Sequence, residues 1–432
     1  MKKKVISGLL IVTLMICGFM GVNQFVPEQR SITINGEIDG RATELKGQSP
    51  LAESGRDPEG GARATVAEME SVAGFEVQAK SAVLMDADSG KVLFAQSAEQ
   101  ELPPASVTKI MTMLLILEGV EQGRISLDDA VTVSETASSM GGSQMYLEPG
   151  EQHTVEELLM GVAMVSANDA CVCLAEHLCG SVEIFVEKMN SRARELGMKN
   201  SNFVNTNGLP AENHYSSAYD IAVMTSELLH HESSHEWLTK KQAIVKIGLP
   251  GKEKDFELIN TNKLLYQYEG ALGVKTGFTQ DAMFCLSGAA ERDGMRLVAV
   301  VLGAETSAIR FAETKKLLDY GFANYESHVA AKKGECQKKY KVAKATPEKV
   351  TAVPAADCRV LIKKGESDKI KTKVEMQGNL KAPLKKGKQV GELVVYQKGV
   401  EIDRFPLVAD KALRKATLWE RVTRWFKNLL PG

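Results

Sequence analysis

One motif of the chain pairs a hydroxyl with an amine at a spacing that suits nucleophilic catalysis. Ser106 and Lys109 are three residues apart, so both side chains share one face of a helix. A serine hydroxyl is a weak nucleophile at neutral pH and needs an adjacent base. Lys109 leads into an apolar run, residues 110–117, and burial among apolar side chains lowers the pKa of a lysine. The motif therefore predicts a serine nucleophile activated by a lysine base.

The residues before Ser106 favour the start of a helix at this point. Prolines at positions 103 and 104 cannot continue a preceding helix but suit an extended segment that leads into a new one. Ser106 is then expected in the first helical turn, where unpaired backbone N–H groups lie at the positive end of the helix dipole. Such a position can stabilise an oxyanion. A Ser-x-x-Lys spacing is common on solvated helices, so its interpretation depends on the rest of the chain.

Two further motifs, Ser-Ala-Asn and Lys-Thr-Gly, supply the other groups that such chemistry needs. The Ser166 hydroxyl can relay a proton to a leaving amine, and the Asn168 amide can orient a substrate backbone. Lys275 adds a positive charge that lowers the pKa of the neighbouring lysine and attracts an anionic substrate end. Thr276 can donate a hydrogen bond to a carboxylate, and Gly277 lets a strand approach the substrate closely.

The composition is that of a globular protein with two or three domains. The 432 residues are 44% hydrophobic and 25% charged. A formal net charge of −2 argues against a nucleic-acid partner. Seven cysteines in a chain of this length do not make a disulfide scaffold, although a disulfide between Cys336 and Cys358 is one alternative.

The N-terminus is typical of an export signal. Three lysines precede an uncharged, mostly apolar run, residues 5–22. No clear small-x-small cleavage site is visible, so the run also suits an N-terminal anchor that is just long enough to span a membrane. Lipidation of Cys17 is disfavoured because Ile16 stands where a small residue is expected. We predict an exported protein, with residues 1–22 as signal peptide or anchor and residues 23–75 as a flexible linker.

Residues 76–326 are predicted to form one α+β domain. Strand-like runs near residues 81–95 and 271–302 enclose several helical segments, which fits terminal strands that pair in a single antiparallel sheet. A capping-box sequence at residues 154–157 predicts the start of an apolar helix that runs through Val165.

The C-terminal part of the chain has a different pattern. Residues 328–409 alternate lysine-rich strands with turns and predict a small all-β domain without catalytic groups. Residues 411–430 predict an amphipathic helix that lies on a membrane surface and is too polar to span it. The alternative is a helix that packs on its own domain. The apolar side of this helix carries Leu418, Trp419, Val422, Trp425, Phe426, Leu429 and Leu430.

Taken together, the motifs resemble those of the low-molecular-mass penicillin-binding proteins, which are serine-type D-alanyl-D-alanine carboxypeptidases. The similarity covers almost the whole chain after residue 79 and is greatest to the enzymes of spore-forming bacteria. The resemblance implies a β-lactamase/transpeptidase-like domain, then a β-sandwich domain and an amphipathic membrane anchor. It rests on the sequences Leu-Pro-Pro-Ala-Ser, Ser-Ala-Asn-Asp-Ala, His-Tyr-Ser-Ser-Ala and Gly-Val-Lys-Thr-Gly-Phe-Thr.

The resemblance also implies a reaction and its site. The substrate would be a peptidoglycan stem pentapeptide, which loses its terminal D-alanine through an acyl-enzyme on Ser106, and β-lactams such as penicillin would acylate the same serine. Backbone N–H groups of Ser106 and Phe278 would form the oxyanion hole. Arg310 would lie near the C-terminal carboxylate of the substrate. The resemblance places the protein at the extracytoplasmic face of the cell membrane.

Two other functions share part of this pattern. A β-lactamase has the same three motifs, but no Glu-x-x-Leu-Asn sequence occurs between Asn168 and Lys275. A non-catalytic envelope-binding protein would have no chemical need for Ser106, Lys109 and Lys275 together.

No metal or cofactor is expected. Cys171, Cys173 and Cys179 lack the nearby histidine or further cysteine of a zinc site and suit small buried positions. The histidines within residues 230–235 are better explained as a polar helix end.

Overall fold

The computed structural model describes residues 75–429, of which residues 424–429 are described by their backbone alone. The predicted signal or anchor, residues 1–22, lies outside the described residues, as does the predicted linker except for its last position.

Five antiparallel strands form the central sheet, and two short two-stranded sheets lie outside it. In chain order the strands are β1 (Ser81–Asp86), β2 (Val92–Gln96), β3 (Ala130–Thr132), β4 (Gln152–Thr154), β5 (Gln242–Ile247), β6 (Lys254–Ile259), β7 (Ala271–Thr279), β8 (Met283–Arg292) and β9 (Met295–Ala304). The central sheet has the order β2-β1-β9-β8-β7, whereas β3 pairs with β4 and β5 pairs with β6. The first strands therefore pair with the last ones, as the sequence predicted.

Helices of very different lengths connect and cover these strands. They are α1 (Lys109–Glu121), α2 (Glu135–Ser138), α3 (Val155–Met160), α4 (Asn168–Cys179), α5 (Val182–Glu195), α6 (Ala218–His230), α7 (His235–Leu238), α8 (Leu264–Gln267) and α9 (Ser307–Asn324). A short 3₁₀ helix, Ala105–Thr108, precedes α1, and a π-helix, Gly161–Val165, follows α3.

Alternation along β9 explains how the sheet is buried on both faces. Leu297, Ala299 and Val301 belong to the cluster that includes Leu317 of α9. Their neighbours, from Val298 to Leu302 in alternate positions, belong to the larger cluster of the other helices. Successive strand residues point to opposite faces, so one apolar strand supplies both cores.

The predicted capping box at the start of α3 is confirmed. The Thr154 side chain accepts a hydrogen bond from Glu157 N–H, and the Glu157 carboxylate accepts one from Thr154 N–H. The predicted helix does reach Val165, but its last turn widens to the π form. Because that turn ends at Ser166, the widening sets where one of the motif residues lies.

The all-β part of the chain contains nine strands. They are β10 (Tyr325–Ala331), β11 (Lys338–Lys341), β12 (Ala345–Thr346), β13 (Lys349–Pro354), β14 (Cys358–Lys363), β15 (Ile370–Met376), β16 (Gln389–Gln397), β17 (Val400–Ala409) and β18 (Arg414–Lys415). The largest sheet has the order β11-β13-β17-β16-β15, while β10 pairs with β14 and β12 with β18. The predicted fold class, an α+β domain followed by an all-β domain, is confirmed. The predicted boundaries near residues 326 and 328 fall inside β10 and stay predictions.

A final helix, α10 (Leu418–Leu429), follows the all-β part. The Thr417 hydroxyl caps it by accepting a hydrogen bond from Glu420 N–H, and Arg414 pairs with the Glu420 carboxylate. Leu418 and Trp419 are each 76% exposed, so the start of α10 does not bury its apolar side chains. Within residues 75–429, no helix has the length and apolar character needed to cross a membrane.

One feature of the fold was not predicted, and one alternative that the sequence left open is now decided. The β5–β6 hairpin lies in a stretch for which the sequence offered no interpretation. Its inner face is apolar, but the outward face carries exposed Ile244 and Ile259, so the alternation is incomplete. Cys336 and Cys358, for which a disulfide was left open, are both free thiols.

Candidate active site

Ser106 lies in the 3₁₀ helix Ala105–Thr108, which we call the Ser106 turn. The predicted extended entry does not hold at Pro104, which has helical torsion angles of φ −82° and ψ −12°, although Leu102 just before it pairs with Ser216 as an isolated β-bridge. The change of direction falls instead on Ala105, whose φ of 49° lies in the left-handed region. A non-glycine residue held there indicates that its surroundings fix the turn, and Ser106 is presented on it.

Lys109 is fully buried at the first position of α1, directly below the Ser106 turn. Its Nζ lies 3.0 Å from Ser106 Oγ, 2.7 Å from Asn168 Oδ1 and 2.6 Å from the Asn207 carbonyl oxygen. Burial lowers the pKa of Lys109 to about 8. A neutral lysine has two N–H groups, which the two carbonyl oxygens accept, and this leaves the nitrogen lone pair directed at Ser106 Oγ. The geometry suits a general base.

Ser166 and Asn168 lie where the π-helix meets α4. Ser166 has a φ of 64°, and its buried Oγ has no hydrogen-bond partner among the described residues. The Asn168 side chain is fully engaged, because Oδ1 accepts from Lys109 and Nδ2 donates to the Gly141 carbonyl oxygen at 2.6 Å. Its predicted contact with the substrate backbone stays a prediction. In this structure the amide fixes Lys109 against the loop at Gly141.

Strand β7 brings Lys275 into the same buried region. Lys275 is 1% exposed, and its Nζ donates to the Thr276 carbonyl oxygen at 3.1 Å. Burial, followed by repulsion from Lys109, holds the pKa of Lys275 well below its usual value. Burial is the main cause of the lowered pKa of Lys109, and because repulsion between two lysines is mutual, the predicted contribution of Lys275 to it stays a prediction.

Gly277 allows β7 to pass directly beside the Ser106 turn. A Cβ atom at Gly277 would lie 3.1 Å from the Pro104 carbonyl oxygen and 3.2 Å from the Ser106 nitrogen. The glycine thus brings the backbone of residues 277–278 next to Ser106, as an oxyanion hole shared by the two segments requires. The neighbouring Thr276 Oγ1 lies 3.2 Å from Thr261 Oγ1.

Phe278 and Arg310 both lie at the end of β7 that follows Gly277, and both approach the ring of Phe284. The Phe278 ring is half exposed and packs on Phe284 with 4.4 Å between ring centroids. Arg310 is largely buried, and its Nη1 donates to the Gly277 carbonyl oxygen at 2.8 Å and to that of Cys285 at 3.2 Å. The arginine therefore holds the Gly277 peptide in place, whereas its predicted contact with a substrate carboxylate stays a prediction.

Sequence reasoning missed the loop that supports the base. Asn207 supplies the carbonyl oxygen for Lys109, and Gly208 follows with a φ of 84°. A Cβ atom at Gly208 would lie 1.8 Å from the Ala105 carbonyl oxygen, so only glycine fits against the Ser106 turn. The Asn-Gly pair does predict a turn. The contact with Lys109 is made by a backbone carbonyl group, so no pattern of side-chain types in the sequence indicates it.

His214 ties this loop to the Ser106 turn. Its Nδ1 accepts a hydrogen bond from Val204 N–H at 2.9 Å, so the proton lies on Nε2, which donates to Thr108 Oγ1 at 2.9 Å. Burial lowers the pKa of His214 to about 4, and the ring is neutral at physiological pH.

A cleft of about 390 Å³ lies beside the Ser106 turn. It is lined by Pro103, Pro104, Ala105, Gly208, Leu209, Pro210, Ala211, Glu212, His214, Thr279 and Asp281. It shares Ala105 with the turn and Thr279 with the end of β7, so it borders the predicted site, but none of the three motifs contributes to its lining.

Away from the Ser106 turn, the described residues include one cluster of potential metal ligands. Glu118, Glu227 and His231 bring ligand atoms within 4.8 Å of one another. Arg192 already lies among them, with Nε 2.7 Å from Glu118 Oε1 and Nη2 2.7 Å from Glu227 Oε1. This group is an ion-pair network that joins α1, α5 and α6.

Comparison with known proteins places this geometry in a family. Residues 65–306 match the family described as D-alanyl-D-alanine carboxypeptidase. The chain belongs to this family. Residues 325–415 match the C-terminal domain of penicillin-binding protein 5. The family resemblance seen in the motifs is confirmed. The assignment of the protein as a serine carboxypeptidase is confirmed with it.

Individual relatives agree over most of the chain. The D-alanyl-D-alanine carboxypeptidase DacF of Bacillus subtilis is 44% identical over 78% of this chain and 87% of its own length. DacC of Escherichia coli is 35% identical over 80% of this chain and 87% of its own. Among solved structures, penicillin binding protein 5 from Haemophilus influenzae superimposes with a TM-score of 0.65 at 33% identity, covering 80% of this chain and all of that one.

Proposed function

We propose that this carboxypeptidase removes the terminal D-alanine from peptidoglycan stem pentapeptides through an acyl-enzyme on Ser106. One observation carries the assignment of residues: Lys109 Nζ lies 3.0 Å from Ser106 Oγ, with two fixed carbonyl oxygens to hold its N–H groups. Proton transfer from a hydroxyl requires a base within this reach.

Acylation follows from that geometry. Neutral Lys109 takes the proton of Ser106, and Oγ attacks the carbonyl carbon of the bond between the two D-alanines. The negative charge on the carbonyl oxygen is stabilised by the backbone N–H groups of Ser106 and Phe278. When the C–N bond breaks, the leaving amine receives a proton that passes from Lys109 through the Ser166 hydroxyl. The buried Ser166 Oγ without a partner is free to accept and donate in this relay.

In deacylation Lys109 acts as the base again, now towards a water molecule. A water molecule takes the place of the departed D-alanine, gives its proton to Lys109 and attacks the ester carbon, which releases the shortened peptide and restores Ser106. The departing D-alanine carries a carboxylate, and we assign Lys275, Thr276 and Arg310 to its side of the site. A carboxylate beside Lys275 would favour the charged form of this lysine.

The test of this function is the release of D-alanine from a peptide that ends in Lys-D-Ala-D-Ala. We expect release by the protein and none by Ser106→Ala, together with covalent labelling of Ser106 by penicillin. Labelling without D-alanine release would contradict the carboxypeptidase and indicate another acyl acceptor. Rapid turnover of penicillin would support a β-lactamase, and neither labelling nor release would leave a non-catalytic binding protein.

We also propose that the protein is exported and held at the extracytoplasmic face of the cell membrane by α10. The basic, apolar N-terminus supports export, and exposed Leu418, Trp419 and Val422 support a helix that lies in the membrane interface. Tryptophan and flanking arginines are typical of this position.

Vesicle binding tests the role of α10. The protein should sediment with phosphatidylglycerol-containing vesicles, and Leu418→Ser with Trp419→Ser should lower the bound fraction severalfold. The matched control exchanges two exposed isoleucines on the β5–β6 hairpin, Ile244→Ser with Ile259→Ser, and should bind as the unaltered protein does. Equal loss in both pairs, or no loss in either, would contradict the anchor.

A further inference from the structure

The widened helical turn before Ser166 leaves one backbone carbonyl without its usual partner. In a regular α-helix the Met164 carbonyl oxygen would accept a hydrogen bond from Asn168 N–H, four residues later. Here Asn168 N–H donates to the Ser143 carbonyl oxygen at 2.7 Å instead. A buried carbonyl needs another donor, so the Met164 carbonyl is open to a residue from outside the helix.

Thr261 supplies that donor. Its N–H donates to the Met164 carbonyl oxygen at 3.0 Å, and its Oγ1 donates to the same oxygen at 3.3 Å. Hydrogen bonds fix the loop on both sides of this residue. Asn260 Nδ2 donates to the Lys240 carbonyl oxygen at 2.9 Å, and Asn260 Oδ1 accepts from Asn262 N–H at 2.9 Å. Thr261 therefore joins the π-helix to a fixed loop after β6.

The same hydroxyl also reaches the Lys-Thr-Gly motif. Thr261 Oγ1 lies 3.2 Å from Thr276 Oγ1, and either hydroxyl can be the donor. Thr276 is 8% exposed, whereas Thr261 is exposed. One side chain from outside the three motifs thus contacts both the segment before Ser166 and the strand that carries Thr276.

The Thr261 hydroxyl has one proton and two acceptors for it. When the proton lies towards the Met164 carbonyl, the Thr276 hydroxyl donates to Thr261, and the Thr276 proton is occupied. When it lies towards Thr276 Oγ1, the Thr276 proton is free to bind a carboxylate. The Met164 carbonyl keeps its bond from Thr261 N–H in both arrangements, so no buried acceptor is left unpaired. A donor that itself accepts a hydrogen bond is strengthened, so Thr276 then binds an anion more tightly.

We propose that Thr261 is a positioning residue for the terminal carboxylate of the substrate and that it acts through Thr276. The proposal rests on the function proposed above, in which Thr276 lies on the side of the leaving D-alanine, and adds a residue from outside the three motifs to it. Thr261 directs the Thr276 proton to the carboxylate and does not touch the reacting atoms.

Steady-state kinetics of two variants of the full chain test the role of the hydroxyl. Thr261→Val removes it and keeps the backbone N–H and the branched shape, whereas Thr261→Ser keeps the hydroxyl. We expect Thr261→Val to raise KM for a peptide ending in Lys-D-Ala-D-Ala by about threefold to tenfold, as for one lost hydrogen bond, with kcat unchanged. Thr261→Ser should restore KM. The matched control, Thr372→Val, removes an exposed hydroxyl of β15 and should have the KM of the unaltered protein.

A double variant shows whether Thr261 acts through Thr276. Thr276→Val removes the carboxylate donor and should itself raise KM. Because Thr261 acts only by directing that donor, the addition of Thr261→Val should raise KM no further. Independent contributions of the two hydroxyls would multiply instead.

Penicillin supplies a second readout that does not depend on the peptide. It also has a carboxylate, so its second-order rate of acylation should fall about threefold to tenfold in Thr261→Val and recover in Thr261→Ser. Thr261→Ala removes the same hydroxyl with a smaller side chain and should give the same fall, which separates the lost hydrogen bond from a packing defect of valine.

Three results would overturn the role of Thr261: an unchanged KM and acylation rate in Thr261→Val, an equal loss in Thr261→Ser, or losses that multiply in the double variant. Failure of the proposed function looks different, because the unaltered protein would then release no D-alanine, while penicillin acylation would still report on Thr261.

Discussion

Lysines in two regions of the molecule have opposite environments. In the all-β part, Lys369 and Lys373 are exposed and paired with Glu366 and Glu375 at 2.8 Å, and these hydrogen bonds raise the pKa of each lysine. In the active site, Lys109 is buried, its hydrogen bonds go only to uncharged oxygens, and its pKa falls to about 8.

The difference shows what a reactive lysine requires. An exposed pair keeps its proton and contributes little to stability, because water and salt screen the attraction. A buried lysine without a carboxylate loses its proton readily, and the free energy of its desolvation must be offset by the rest of the fold. We expect substitutions of the buried active-site residues to have large effects on catalysis and substitutions of the exposed pairs to have almost none.

The largest effect is expected from Lys109 itself. Lys109→Ala removes the base and should lower the rate of penicillin acylation by roughly 10³-fold. Lys109→Arg should not restore it, since a guanidinium stays protonated. Lys373→Ala, in the all-β part, should acylate at the unaltered rate. Stopped-flow measurement of penicillin acylation tests this prediction. An active Lys109→Arg variant would contradict the role of Lys109 as the base.

The next largest effect is expected from a comparison of two glycines of similar backbone conformation, one in each region, when each is replaced by alanine. Gly208→Ala places a Cβ atom against the Ala105 carbonyl oxygen, so the Ser106 turn must move. A shift of about 1 Å can lower a rate roughly 100-fold, which we expect for acylation. Gly365 of the all-β part has a φ of 77° with open space around its Cβ position. Gly365→Ala carries similar backbone strain and should acylate normally, and equal losses in the two variants would assign the effect to strain alone.

The pH dependence of acylation should follow the buried lysine. Lys109 acts when it is neutral, so the rate should rise with pH, reach half its maximum near pH 8, and level off above that pH. Between pH 6 and 7 the rise should be about tenfold, as for a single ionisation below its pKa. Penicillin acylation rates from pH 5.5 to 9.5 measure this. A flat profile would mean that Lys109 is already neutral and would contradict its titration in this range.

The smallest effect is expected at the charge cluster around Arg404. Its guanidinium contacts Glu375 at 3.1 Å and Glu392 at 3.0 Å, and it also pairs with Glu401. These side chains are partly exposed to solvent, so Arg404→Met should leave acylation unchanged and change Tm by no more than the scatter between replicate melts. A clear fall in Tm would show that this network is worth more than screened surface pairs.

The sequence predicted the residues that meet but not how they are held. The three motifs could be recognised because each has a local sequence requirement. These are a serine and a lysine one helical turn apart, a glycine where strands approach, and a hydroxyl before a helix. The Asn207 carbonyl contact with Lys109 depends on the path of a distant loop, and any residue type offers the same oxygen. Arg310 shows the same limit, because its partners are the backbone carbonyls of Gly277 and Cys285.

The widened helix before Ser166 shows why helical periodicity can mislead at a site. The apolar pattern predicted a continuous helix, and the chain does stay helical to Val165. The π turn and the left-handed Ser166 cost conformational energy that no apolar pattern records. Such features are kept where they aim a functional side chain.

The pairing of β1 with β9 has a consequence for the order of folding. Ser81 of β1 pairs with Leu302 of β9, and β8 and β7, which lie beyond β9 in the sheet, also come late in the chain. A growing chain therefore cannot complete its central sheet until β9 is available, and until then β1 offers an open edge. Closing so large a loop costs chain entropy, so the sheet is completed late in folding. Fragments that end before residue 295 should neither fold nor bind penicillin.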